Sequence, residues 1–489
     1  MHIWGEARVR GWLVPLRRGR RVRVARWAIR LSGWGSAIVA IAIAGLVAVN
    51  AFDEPLAPEA RLLSASSYQV AADPGNGYVW MLGLLAPEPE DAYACGARAL
   101  GRLQELDARS ESLSKDDPLL ADHLVLAGRS RMRCQPEKGS CIELAAQKYA
   151  EIKRELAQSG TLLDRAQRMR AQSVFADAYT PSSWSSPVPP YHNVVVAQFA
   201  TLLQASVAVS EGRIEDAIAL AEEDMRFSRR VLAGSTNLIG KMVANTLVAR
   251  DVLFLSDLLS KRPEQMRRYR KRVASALEPL SQGEIALDAA LRTEARGLVR
   301  LLLLDVPRTQ SFWSAPDAPT TSAARIADRF ASLFYQPNAT ANRALRRLQT
   351  EMAVTQVPAV KFDEVCMETD ALTQKYRDFA ILDYVLNPIG NALLGSDRRG
   401  YAKYAAHMHD LQALIKLVDA QAAMLPLTSA AERTAFLSSD VGRLFTDPYT
   451  RRQLSVDAGT GQPFFLPRSD RSWVGELKKQ FGGVIRVGP

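Results

Sequence analysis

Gly33 to Phe52, "GWGSAIVAIAIAGLVAVNAF", contains no charged side chain. Twenty residues at the helical rise reach about 30 Å, the thickness of a bilayer's hydrocarbon core. The stretch before it, "RRGRRVRVARWAIR" at 17–30, carries seven arginines and no acid. Residues 1–31 together hold nine arginines against Glu6, which is +8 of the chain's +10. The other 458 residues carry 53 bases and 51 acids, so the basicity is local. A duplex-binding protein spreads positive charge over the face that meets phosphates, and no nucleic-acid partner is expected here.

Arginines on one flank of an apolar span stay cytosolic, and the other flank opens with Asp53 and Glu54, so the large C-terminal part is expected to be exported. Trp27 and Trp34 stand at the entry, where amphipathic rings favour the interface. The expected location is a bacterial inner membrane, crossed once, with the N-terminus cytosolic and the bulk periplasmic. A cleavable signal peptide is the rival reading. Val49-Asn50-Ala51 suits a peptidase, although the apolar run exceeds the usual length of such signals. Arg17-Arg18 and Arg20-Arg21 lack the hydrophobic motif that a twin-arginine signal places after its pair. Ser36, Ala40, Ala44 and Ala48 recur every fourth residue, a small-residue stripe of the kind through which membrane helices associate. The partners expected are the bilayer through 33–52, another envelope protein, and a second copy of the chain.

Residues 53–489 read as an ordinary globular chain, since the sequence is 47% apolar and 23% charged. Arginine (49) far outnumbers lysine (13), a compositional hint of a GC-rich bacterial genome. Cys134 and Cys141 flank a Pro136/Gly139 turn in "RMRCQPEKGSCIEL", spacing that suits a disulfide loop in an oxidising compartment. A bridge from Cys95 to either one competes with that pairing. Zinc would need closer spacing and further ligands. Cys366 reads as a buried thiol.

Beyond the span the periodicity is helical, and the fold class expected is mainly α with a small C-terminal β-hairpin. The parts expected are a cytosolic arginine-rich segment (1–32), the anchor (33–52), an extended lead-in (53–90), a helical domain (91–310), a helical bundle (320–426) and a hairpin with tail (427–489). Helices are predicted over 91–107, 117–132, 141–157, 160–178, 193–211, 214–232, 236–259, 263–279 and 282–304. Ser281 and Glu284 have capping-box spacing, and Gly212 falls where a helix should end. "TPSSWSSPVPP" (180–190) and "VPRTQSFWSAPDAPTT" (306–321) mark breaks.

"EGRIEDAIALAEEDM", 211–225, resembles the turn and second helix of a tetratricopeptide repeat, with Ile214 and Ile218 toward the core and Ala217 at a close helix contact. The resemblance covers some 15 residues and no second copy lies about 34 residues away. It implies one helical hairpin and no repeat groove. Tyr401, Tyr404, Met408, Leu411, Ile415, Val418, Ala422 and Leu425 form a heptad seam. Its partner is expected within 322–385, or on a second copy. Strands are predicted at Gln453 to Val456 and Pro463 to Leu466, and Trp473, Leu477 and Phe481 mark a short docking helix.

No G-x-S-x-G, H-E-x-x-H, Walker or G-x-G-x-x-G motif occurs, and no catalytic, cofactor or metal site is expected. In "HMHD", His407 and His409 point to opposite sides of a helix, beside Met408. Glu222, Glu223 and Asp224 read as a solvated face. "KRPEQMRRYRKR", 261–272, places Arg267, Arg268, Arg270, Lys271 and Arg272 on one helix, either a contact for anionic groups or a solvated face. Two function classes follow: a membrane-anchored, non-catalytic interaction or scaffold protein of the cell envelope, or a tethered hydrolase whose acids converge from distant segments.

Overall fold

The helix Leu238–Lys261 is apolar on nearly every side, so it must be enclosed rather than laid on a surface. In the computed structural model it is the axis around which the body assembles. The structure describes residues 18–65, 70–109, 111, 133–183, 186–309, 322–377, 385–396, 400–470 and 472–487. The predicted helix over 117–132 lies outside the described residues. So do residues 1–17 of the arginine-rich segment.

The chain is mainly helical with a small antiparallel sheet near its C-terminus. It divides into two compact units. One comprises Met1–Glu54, Gln310–Gln336 and Phe379–Leu393, and the other holds the rest.

In the larger unit, Ile214–Gly234 packs along the central helix on one side and Ala402–Met424 on the other. Gly212, at φ +78°, makes the turn between His192–Ser210 and Ile214–Gly234, and Ile214, Ala217 and Ile218 are buried. The seam helix Ala402–Met424 therefore finds its main partner in Leu238–Lys261. Within 322–385, Pro337–Thr355 also packs on it. Placing the chief partner in 322–385 was wrong because the seam helix is buried around most of its circumference and needs several neighbours, not one stripe. His407 and His409, expected at polar positions, are buried with it.

The extended lead-in contributes to the same core. Gly77–Leu82 is a short helix capped by Asn76, and Tyr78, Val79 and Met81 are fully enclosed. It crosses Ala92–Ala108 at backbone contact. A Cβ on Gly96 would stand 1.9 Å from the Val79 carbonyl oxygen, and one on Gly83 1.9 Å from that of Ala92. The predicted helix over 141–157 is two, Cys141–Gln147 and Tyr149–Gln158, broken at Lys148. Cys134 and Cys141 stand at disulfide distance, Cα to Cα 5.3 Å. Ser281 and Glu284 form the expected capping box, and Ser429 with Glu432 forms another.

At the C-terminus the strands are β1 (Ser455–Val456), β2 (Pro463–Phe465) and β3 (Ile485–Arg486), with β2 central. The register pairs Ser455 with Phe464 and Phe464 with Arg486. β3 has no counterpart in the expected two-stranded hairpin, because a two-residue strand leaves no alternating pattern to read. Phe465 and Trp473 are buried, and β2 lies against the seam helix.

One described helix is long and apolar enough to cross a membrane, His192–Ser210, which is internal and 67% buried. The N-terminal helix runs Arg18–Asn50, and its described apolar part is Trp34–Asn50. From Trp34 to Gly45 its side-chain positions are exposed, the small stripe of Ser36, Ala40 and Ala44 included; Ala48 is exposed as well.

Leu411 is fully buried on the seam helix. Leu411→Ala is expected to cost about 2 to 5 kcal/mol through the cavity it leaves. Urea unfolding of the detergent-solubilised full chain measures it, and a loss near zero would mean that this helix is not packed in the body.

Candidate functional site

Polar chemistry inside the body starts from the charged residues that interrupt the central helix. Asp251 is fully buried, and its Oδ1 accepts from Gln198 Nε2 at 2.9 Å while Oδ2 accepts from Ser228 Oγ at 2.9 Å. Beside it lies Asp224, also buried, which faces Arg170 Nη1 at 3.4 Å. Arg170 in turn donates to Thr201 Oγ1 at 2.7 Å. Two adjacent carboxyls with one guanidinium in a dry interior do not both ionise. Burial, and then the Asp224 charge, push Asp251 well above the ordinary carboxyl range. A proton kept on Asp251 lets it donate to the Asp224 carboxylate, with which it is in hydrogen-bonding contact. The expectation that 222–224 is a solvated face thus fails for Asp224, which the helix turns inward, whereas Glu222 and Glu223 remain half-exposed.

The arginine run 261–272 divides in the structure. Arg267 pairs along its own helix with Glu264 at 3.0 Å. Arg272 reaches across to Glu222, Nη2 to Oε2 at 2.7 Å. Arg268 and Lys271 are exposed and Arg270 is half-buried. Arg272 and Glu222 edge a cleft of about 690 Å³ that also holds Arg226, Arg229, Arg230 and Glu284. Arg229 is committed to Glu284 at 2.5 Å and to the Glu278 carbonyl at 2.9 Å. Burial, and then the Arg226 charge, lower the pKa of Arg230.

A groove of about 730 Å³ opens between the central helix and the start of the seam helix. Met242 and Leu238 give it an apolar wall, Tyr401 and Tyr404 an aromatic one, and Lys403 and Glu294 lie at its edges. Lys403 Nζ lies 5.0 Å from the Tyr404 ring centroid, a cation over a π face. Asn245 fixes the floor: its Nδ2 donates to the His407 carbonyl at 3.0 Å, and its Oδ1 accepts from Trp473 Nε1 at 2.9 Å. His407 lines this groove.

His409 faces a third cleft, of about 670 Å³, with Asp288, Asp447 and Lys416. Its ring stands edge-on to Phe362 and Tyr449, with centroids 5.6 and 6.0 Å away, and burial holds its pKa below the ordinary imidazole value. Asp410 completes the "HMHD" stretch as a structural acceptor. It takes hydrogen bonds from Tyr449 Oη at 2.7 Å and from Ser469 Oγ at 2.7 Å. Among the described residues no group of three or more His, Cys, Asp or Glu is arranged to hold a metal ion.

The acid pair has a testable titration. Folded Asp251 keeps a proton that the unfolded chain gives up near the ordinary carboxyl value of about 4. At this site the folded state therefore binds more protons above that pH, so the stability that Asp251 contributes falls as pH rises through the acid range. Asp251→Asn keeps a donor toward Asp224 and removes the titration, so its stability is expected to be flatter across that range. Asp251→Leu leaves Gln198, Ser228 and Asp224 unmatched and is expected to cost more than about 2 kcal/mol. Urea midpoints taken across the acid range check both, and an unchanged slope in Asp251→Asn would refute the shared proton.

With the geometry of these clefts as the starting point, comparison with known proteins adds no assignment: no protein-family model, curated protein or solved structure matches this chain.

Proposed function

We propose that the chain is a membrane-anchored, non-catalytic helical interaction protein of a bacterial cell envelope, with residues 33–52 in the bilayer and the larger unit exported. The observation that carries the reading is the exposure of an uncharged apolar helix. Trp34 and Ile41 are each 71% exposed, a state that lipid tails satisfy and water does not. The arginine excess on one side orients it. The Cys134–Cys141 pair is consistent with an oxidising compartment.

The interaction role draws on the groove beside Tyr404. It is open, mostly apolar and edged by opposite charges, the make-up of a surface that takes a partner's side chains. The sequence offers a second copy through the Ser36, Ala40, Ala44 and Ala48 stripe, or another envelope protein, as that partner. A tethered hydrolase is the alternative, and one observation favours it: Asp288, Asp447 and His409 come from separated segments to one cleft.

Alkaline phosphatase fused after Pro489 of the full chain is expected to be active in cells, because the enzyme works only in the periplasm. An inactive fusion that is stably made would overturn the orientation. For the groove, a photoreactive residue at Ile239 is expected to capture the same protein in repeated experiments. Thr246→Trp, which fills the groove, is expected to abolish the capture. Capture that survives Thr246→Trp places the contact elsewhere.

A further inference from the structure

The smaller unit carries a second apolar surface, separate from the N-terminal helix. Ser322–Ser332 is a strongly amphipathic helix. Ile326, Phe330 and, just past its end, Leu333 are 69%, 51% and 48% exposed. Their spacing of four and three puts them on one stripe, while Asp328 and Ala331 on the other side are buried. The arrangement is inverted relative to a helix resting on a protein core, since the apolar stripe looks out and an acid looks in. Arg329 is exposed at the border of the stripe.

What covers this stripe follows from where it is tied. Asn50, the last residue of the N-terminal helix, accepts at Oδ1 from the Asn387 backbone N–H at 2.7 Å and donates through Nδ2 to the Val385 carbonyl at 2.8 Å. Asn387 Oδ1 accepts from the Gln336 backbone N–H at 2.9 Å. Gln336 Nε2 donates to the Phe52 carbonyl at 2.9 Å. Three amide side chains thus join the end of the apolar helix to the residues that directly follow Leu333. Val385 and Leu386, in the same knot, are exposed too, and so is Phe52. Apolar exposure is therefore gathered around the point where the N-terminal helix ends. A stripe held at that level beside a membrane-spanning helix meets the interface of the same leaflet.

We propose that Ser322–Ser332 lies in the outer interface of the bilayer as an amphipathic helix, with Ile326, Phe330 and Leu333 among the lipid chains and Arg329 at the headgroups. This rests on the anchor reading above. An interfacial helix of this kind binds through its apolar face and gains from anionic headgroups through its basic edge. It gives the short anchor a second hold and fixes the tilt of the unit against the membrane plane.

The test uses the full chain, with Cys95→Ser and Cys366→Ser, in vesicles of phosphatidylethanolamine and phosphatidylglycerol. Single cysteines carrying a nitroxide replace Ile326, Phe330 or Leu333, with Ile41→Cys as the reference for the bilayer and Lys271→Cys as the reference for water. All five positions are exposed, so the labels do not intrude on packing. The ratio of oxygen collision to water-soluble nickel-chelate collision is expected to be several-fold higher at 326, 330 and 333 than at 271, approaching that at 41. Labels at the three positions that behave as at 271, while 41 remains in lipid, overturn the interfacial helix and leave the anchor standing. Labels shielded from both reagents mean a protein cover, such as a second copy, and also overturn it. If 41 itself behaves as at 271, the anchor reading fails first and this proposal fails with it.

Discussion

A helix buried along most of its length must find partners for the polar side chains it carries inside, and that constraint organises the larger unit. Leu238–Lys261 buries Lys241, Asn245, Arg250, Asp251 and Ser256 along its length. Each finds a partner on another segment, and Asn245 and Ser256 both reach the seam helix. Lys241 Nζ donates to the Gly283 and Glu284 carbonyls at 3.3 and 3.2 Å. Asn245 takes the seam helix and Trp473. Arg250 pairs with Glu137, at 2.8 and 3.0 Å, inside the loop that Cys134 and Cys141 close. Asp251 takes Gln198 and Ser228. Ser256 donates to Gln421 Oε1 at 2.7 Å. Apolar packing alone would let these helices slide by a turn at small loss, whereas a slip here strands several buried polar groups at about 1 to 3 kcal/mol each. Register is thereby fixed by polar contacts within an apolar core.

The clefts lie beside these buried polar contacts. The groove beside Tyr404 starts at Asn245, where the central and seam helices are pinned. The arginine cleft flanks the Arg229–Glu284 pair, which also anchors the capping box at Ser281. Sites and pins are therefore neighbours, and a ligand in either groove would lean on residues that also set helix register.

Helix existence was legible where periodicity and caps agreed, as at Gly212 before Ile214–Gly234; the Ser281/Glu284 box forms, but it caps only Gln282–Ile285, and the helix expected over 282–304 breaks before Asp288–Arg300. The Cys134/Cys141 spacing was legible because a short loop has few geometries. Burial was not. A heptad seam shows one packed stripe, but Ala402–Met424 buries its other faces too, through alanines and polar residues that a hydrophobic pattern does not count. Asp224 looked like one of three adjacent acids. Only its period relative to Ile214, Ala217 and Ile218 sets it on the inner face, and its partner Asp251 belongs to another helix. A charge inside an otherwise apolar window, as with Lys241, Arg250 and Asp251, was the available signal for a buried polar knot.

Two apolar helices illustrate how composition alone misplaces a chain. His192–Ser210 passes for a membrane span by length and hydropathy, yet Asn193, Gln198, Thr201 and Ser206 are all buried on it. Two of these demand protein partners at fixed positions: Asn193 Nδ2 donates to the Met81 carbonyl at 2.9 Å and Gln198 Nε2 to the Leu247 carbonyl at 2.8 Å. Lipid offers no such acceptors, so this helix belongs in a protein core. Between Trp34 and Val49 the only polar side chain is Ser36, and no residue there asks for a remote hydrogen bond. The first amide after it, Asn50, is buried and fully engaged with Val385 and Asn387. Long-range amide contacts thus begin where the apolar run ends. The polar residues inside an apolar helix, more than its mean hydropathy, tell which solvent it was built for.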